Sequence, residues 1–162
     1  FQYGTEPVQT TTNNNKGVAL DSFRNKHIYL DTNIIYRALG INGKNRKDLT
    51  TTFLSKFNEI GQKLFISKYT DEEFKNSIKF HIDNIRKFNN PKVSSSVYVE
   101  NSINDEIYSF YHLWKQGRTN SNLDIFRAYI YGVYDEFIAK YNIELDELKK
   151  YNDRSCCGAY MG

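Results

Sequence analysis

His27-Ile28-Tyr29-Leu30-Asp31-Thr32-Asn33-Ile34-Ile35-Tyr36-Arg37-Ala38-Leu39 changes its hydropathy period at Asp31. Before that point, Ile28, Tyr29 and Leu30 form a short apolar run rich in strand formers. After it, Ile34, Ile35, Ala38 and Leu39 recur at helical spacing, and Gly40 and Gly43 end the pattern. The stretch therefore predicts a strand, a polar corner and a helix. Asp31, Thr32 and Asn33 are all favoured helix N-caps, so capping alone would account for the corner.

A similar succession returns downstream. Leu64-Phe65-Ile66 reads as a second strand, and Thr70-Asp71-Glu72-Glu73 as a helix start with acids in its first turn. Thr70-x-x-Glu73 also fits a capping box, in which Glu73 would bond back to the Thr70 backbone N–H. Phe74, Ile78, Ile82 and Ile85 give the buried stripe of that helix, and Asn89-Asn90-Pro91 stops it. Between the two strands, residues 41–47 read as a loop carrying Lys44, Arg46 and Lys47. Leu49, Phe53, Phe57 and Ile60 mark one face of a further helix that Gly61 ends. Strands joined by a helical crossover of this length are normally parallel with a right-handed connection. Ligands then sit beyond the carboxyl ends of the strands, where both polar corners fall. As neighbours, the strands would set Asp31 and Glu73 in one crevice.

Two helices follow. Ile103, Ile107, Phe110, Tyr111 and Trp114 form one stripe, closed by Gly117; Leu123, Phe126, Ile130, Val133, Phe137 and Tyr141 form the next. A last helix is expected over 145–151, and no later strand is evident. Asp105 and Asp124 read as ordinary helix-start acids. Tyr108, Tyr111, Trp114, Tyr129, Tyr131 and Tyr134 fall at helical spacing and read as packing residues, although aromatic rings can also stack bases. Arg37, one turn into the first helix, faces either the crevice or solvent. Residues 1–17 (FQYGTEPVQTTTNNNKG) are polar, without an apolar period, and read as a flexible leader. Residues 92–99 give no decisive pattern.

The chain of 162 residues has the size of one domain, here expected over 18–162. Hydrophobic residues are 40% and charged residues 25%, and no apolar run approaches the ~20 residues that cross a bilayer. The first residues lack the apolar core of a secretory signal. The two cysteines, Cys156 and Cys157, are adjacent, which excludes a disulfide framework and cysteine-pair metal spacing and fits a reducing, cytoplasmic setting. Residues 1–99 hold 15 Lys and Arg against 9 Asp and Glu, a net of +6, while residues 100–162 hold 7 against 10, a net of −3. The basic front half suits a polyanion such as nucleic acid, although solvated helix faces give the same asymmetry. The chain starts at Phe1 and reads like a piece of a longer protein.

Carboxylates cannot attract a polyanion directly. They can hold Mg²⁺ or Mn²⁺, which bridges protein and phosphate and lowers the pKa of bound water. An Asp and a Glu from two strand ends meet the minimum for such an ion, and Asn33 could orient a water or contact the phosphate.

Residues 28–39 resemble the opening of a PIN domain: an apolar strand, an Asp-Thr-Asn corner, an apolar helix. Residues 64–74 resemble that family's second strand and following helix, with Glu73 before Phe74 at the position of its glutamate. The resemblance covers roughly residues 26–88. It implies an α/β, PIN-like fold, a parallel sheet with flanking helices, truncated and with a largely helical second half. It also implies a metal-dependent ribonuclease with Asp31, Asn33 and Glu73 catalytic, Asp31 and Glu73 holding Mg²⁺ or Mn²⁺, and single-stranded RNA as substrate. Independently of the resemblance, Lys44, Arg46 and Lys47 lie in a loop near the first corner and could contact an RNA backbone without base preference, although a solvated loop explains them as well or better. A protein regulator would also fit. The third and fourth acids of the family pattern are not evident, so a helical insertion near 95–150 and further acids beyond residue 162 are expected. A fragment of that kind would bind metal weakly and cut poorly. Two alternatives stand beside this one: a nucleic-acid-binding or regulatory module without the chemistry, and a helical protein-interaction adaptor built on the aromatic stripes of 103–141.

Overall fold

The computed structural model describes residues 22–23, 26–88 and 106–149. The leader 1–17, the expected start near Val18, residues 92–99, Ile103, Asp105 and both cysteines lie outside them. In chain order the elements are β1 (Ile28–Tyr29), α1 (Thr32–Leu39), α2 (Lys44–Glu59), β2 (Leu64–Ser67), α3 (Lys68–Phe88), α4 (Glu106–Lys115), α5 (Leu123–Lys140) and β3 (Glu144–Asp146). The architecture is mixed α/β and mostly helical. Among the described residues no helix is long and apolar enough to cross a membrane.

The sheet has the order β1-β2-β3, and both pairings are parallel. Tyr29 pairs with Phe65 and Phe65 with Glu144; Ser67 pairs with Asp146. The Leu30 N–H still reaches the Phe65 carbonyl at 2.8 Å, so the ladder persists up to the Asp31 corner. The expected parallel neighbours, β1 and β2, are therefore hydrogen-bonded to each other.

Of the helix expected over 145–151, residues 145–146 belong instead to β3, and residues 150–151 lie outside the described residues. α5 ends in a Schellman turn, in which the Ile143 N–H bonds the Ile138 carbonyl and the Asn142 N–H bonds the Ala139 carbonyl. Asn142 takes the left-handed conformation this turn requires, with φ 49°. The chain leaves the turn aimed at the free edge of β2, and residues 144–146 pair there. The helical second half thus closes on a strand.

The core runs through every helix. α1 buries Thr32, Ile35, Ala38 and Leu39. α3 buries Phe74, Ile78, Ile82 and Ile85, as its period predicts. On α2 the buried face is Thr50, Leu54 and Phe57, while Leu49 and Phe53 of the expected face are exposed. Lys44, Arg46 and Lys47, expected in a loop, form the first turn of α2. Tyr111, Trp114 and Phe126 pack as one aromatic cluster, with ring centroids 4.9 Å (Tyr111–Phe126) and 5.2 Å (Trp114–Phe126) apart. All three are buried, whereas Leu113, Ile125 and Tyr129 of the same two helices are exposed.

α3 begins at Lys68, two residues earlier than the Thr70 start. The Thr70 N–H donates to Ser67 Oγ at 3.1 Å, so Ser67 caps the helix three residues upstream. Ser67→Ala is expected to cost about 1 kcal/mol of stability, measured by urea unfolding.

The α3–α5 seam holds a buried phenol. Tyr134 donates to Asp71 Oδ1 at 3.0 Å, and Lys75 Nζ lies 2.8 Å from Asp71 Oδ2. Burial, then the charge and hydrogen bond of Asp71, push the Tyr134 phenol well above its ordinary pKa. The folded phenol keeps its proton where the unfolded one loses it, near pH 10. Its contribution is therefore whole below about pH 10 and is lost as pH rises further. In Tyr134→Phe, stability measured by urea unfolding is expected to fall less steeply between about pH 10 and 12 than in the parent chain.

Candidate functional site

β1 delivers the chain to Asp31, whose extended backbone (φ −86°, ψ 157°) makes it the N-cap of α1. Asp31 Oδ1 accepts the Thr32 N–H at 2.8 Å. Asp31 Oδ2 accepts the Asn33 side-chain amide at 3.1 Å. One N–H of the Asn33 amide thereby orients Asp31, and its second N–H and its carbonyl oxygen remain beside it. Asp31 and Asn33 are both exposed, while Thr32 between them is buried.

Thr32 joins the two corners. Its hydroxyl donates to Glu73 Oε2 at 2.6 Å across a sequence separation of 41 residues. One turn further along both helices, the Tyr36 hydroxyl donates to Ser77 Oγ at 2.6 Å. The steps of four on α1 and on α3 match, so the two helices run side by side in the same direction from the carboxyl ends of β1 and β2. Phe74 anchors this contact from below, with its ring 5.7 Å from that of Tyr36.

Glu73 is free for this role because it does not close a capping box. Ser67 already serves the Thr70 N–H, and Glu73 stands as an exposed residue in the second turn of α3. A carboxylate has about four lone-pair sites, so each acid keeps acceptor capacity after the bonds just described.

The basic cluster lies elsewhere. Lys44, Arg46 and Lys47 follow the carboxyl end of α1, whereas Asp31 stands at its amino end, about 12 Å away along eight residues. Arg46 pairs with Glu106 of α4 at 3.3 Å, and Asn42 donates to the same carboxylate. The Arg46 pair is exposed on both sides and so worth at most about 1 kcal/mol. Asp124 behaves as the helix-start acid it was read to be, paired with Arg86 at 2.9 Å and Arg127 at 3.4 Å.

One acid escaped the sequence reading. Asp146 ends β3 and pairs in register with Ser67 at the carboxyl end of β2. It accepts a hydrogen bond from Tyr29 and another from the Leu148 N–H. With His27, Tyr29, Phe65 and Glu144 it lines a cavity of about 510 Å³ on the sheet. The signal that could have found it is the alternation Ile143-Glu144-Leu145-Asp146, a period of two at a sheet edge. Among the described residues, no group of three or more His, Cys, Asp or Glu side chains is arranged to hold a metal ion.

No family model matches the chain, and no curated protein or solved structure matches it either.

Proposed function

We propose that this chain is a PIN-like module of a metal-dependent ribonuclease, working in the cytoplasm on single-stranded RNA. The observation that carries this reading is the Thr32–Glu73 hydrogen bond, which binds an acid from the end of β2 to the corner at the end of β1. Parallel sheets place ligands at that level of the fold.

Asp31 and Glu73 would hold Mg²⁺ or Mn²⁺. Two hard carboxylate donors with room for water suit an ion that keeps several waters and takes substrate phosphate as a ligand. Bound there, the ion would neutralise phosphate charge and lower the pKa of a coordinated water. The chain's own residues supply the positioning. The Thr32 hydroxyl fixes Glu73, and the Asn33 amide together with the Thr32 N–H fixes Asp31. Lys44, Arg46 and Lys47 serve the flanking RNA backbone, with Arg46 exchanging Glu106 for a phosphate at small cost.

A second reading is favoured by one observation: among the described residues, no group of three or more His, Cys, Asp or Glu side chains is arranged to hold a metal ion. A module of that kind would bind RNA without cutting it. Cleavage of a labelled single-stranded RNA with Mg²⁺ or Mn²⁺, by this chain and by the longer protein expected to carry it, decides between the two. Turnover that stops with EDTA supports the nuclease. Salt-dependent binding with no metal requirement and no turnover supports the binding module.

A further inference from the structure

α3 has two faces of different character. Phe74, Ile78, Ile82 and Ile85 are buried. On the opposite side, Tyr69, Glu73, Asn76 and Phe80 recur at steps of four, three and four, and all four are exposed. Tyr69 is 56% exposed and Phe80 62%, so neither ring is needed for the core. Tyr69 lies one turn, about 6 Å, before Glu73, and Phe80 about 10 Å after it. Lys68 Nζ stands over the Tyr69 ring, 5.1 Å from its centroid. α1 borders the stripe through the Thr32–Glu73 and Tyr36–Ser77 contacts, and its residues Asn33 and Arg37 are exposed.

We infer that this stripe is the track of a single-stranded RNA, with one base stacked on Tyr69, another two or three nucleotides along on Phe80, and an intervening phosphate at the corner that carries Asp31 and Glu73. The inference rests on the ribonuclease reading and names the side chains that would hold its single strand. Stacking on aromatic side chains is open to any unpaired base and closed to bases held in a duplex, so the strand is single and read without base preference. Lys68, over the Tyr69 ring, neutralises the backbone at that end of the track. A protein partner fits less well, because Glu73 and Asn76 separate the two rings and leave no contiguous apolar patch.

The test is fluorescence anisotropy of labelled eight-nucleotide RNA with the full chain and Ca²⁺, which can bridge carboxylates and phosphate in place of Mg²⁺, with the RNA checked on a gel to be uncut. Tyr69→Ala and Phe80→Ala should each weaken binding about 10-fold, and Tyr69→Phe should bind like the parent. An abasic strand of the same length should bind the parent and both alanine variants equally. Unchanged affinity in the alanine variants, or an equal loss with the abasic strand, overturns the track. Unchanged affinity together with metal-dependent cleavage that needs Asp31 rejects the track and keeps the nuclease. Ring-dependent binding in a chain that never cleaves does the reverse, and no RNA binding at all rejects both. Both rings are exposed, so circular dichroism should show the variants folded.

Discussion

Asp31→Asn and Glu73→Gln are each expected to lower metal-dependent RNA cleavage by about 100-fold or more, with little change in thermal stability. The two substitutions separate chemistry from capping. Asn is as good an N-cap as Asp and can still accept the Thr32 N–H. Gln at 73 can still accept the Thr32 hydroxyl. Neither retains the negative charge an ion needs. Charge stabilisation by a bound ion is worth several kcal/mol, and about 3 kcal/mol corresponds to about 100-fold in rate. The measurement is single-turnover cleavage at saturating Mg²⁺ or Mn²⁺, beside a thermal melt. Undiminished cleavage would leave both residues as caps and positioning groups and would reject the metal-site assignment.

Phe74→Ala is expected to be the most damaging single truncation in α3. The ring is fully buried, 4.5 Å from Tyr134 and 5.7 Å from Tyr36. It thus pins α3 to both α1 and α5. Removing a buried Phe costs about 3–5 kcal/mol through lost burial and the cavity left behind. For a chain of this size that is a fall of about 10 °C in Tm, read by circular dichroism. Because Phe74 directly follows Glu73, cleavage should fall with stability in this variant, unlike in the two carboxylate variants. A shift below about 2 °C would show that α3 is held in place by other contacts.

The parts of the fold legible from residues alone are those where local pattern and tertiary packing agree. Ile28-Tyr29-Leu30 and Leu64-Phe65-Ile66 are apolar runs that break abruptly into polar corners, and both are strands of one parallel sheet. The Thr32–Glu73 contact, which joins the two polar corners, follows from that topology. β3 was not legible because three residues carry too little periodicity, and its conformation is set by the edge of β2. The left-handed turn before it uses Asn142, whereas Gly40 takes the same conformation after α1. On α2 two adjacent arcs carry apolar residues, and contact with α1 selects the one through Leu54 over the one through Phe53. At the start of α3, Ser67 and Thr70 both suit a cap. The helix takes the earlier hydroxyl, which releases Glu73 for Thr32.

β2 ends at Ser67 and α3 starts at Lys68, with no residue between them. Strand and helix are therefore geared together like a shaft and its coupling. One added or deleted residue at this joint would rotate every later α3 side chain by about 100° and carry Glu73 off Thr32. The joint accepts changes of side chain but not of length. The angular phase of the acid is fixed by hydrogen bonding in the sheet, well before any substrate arrives.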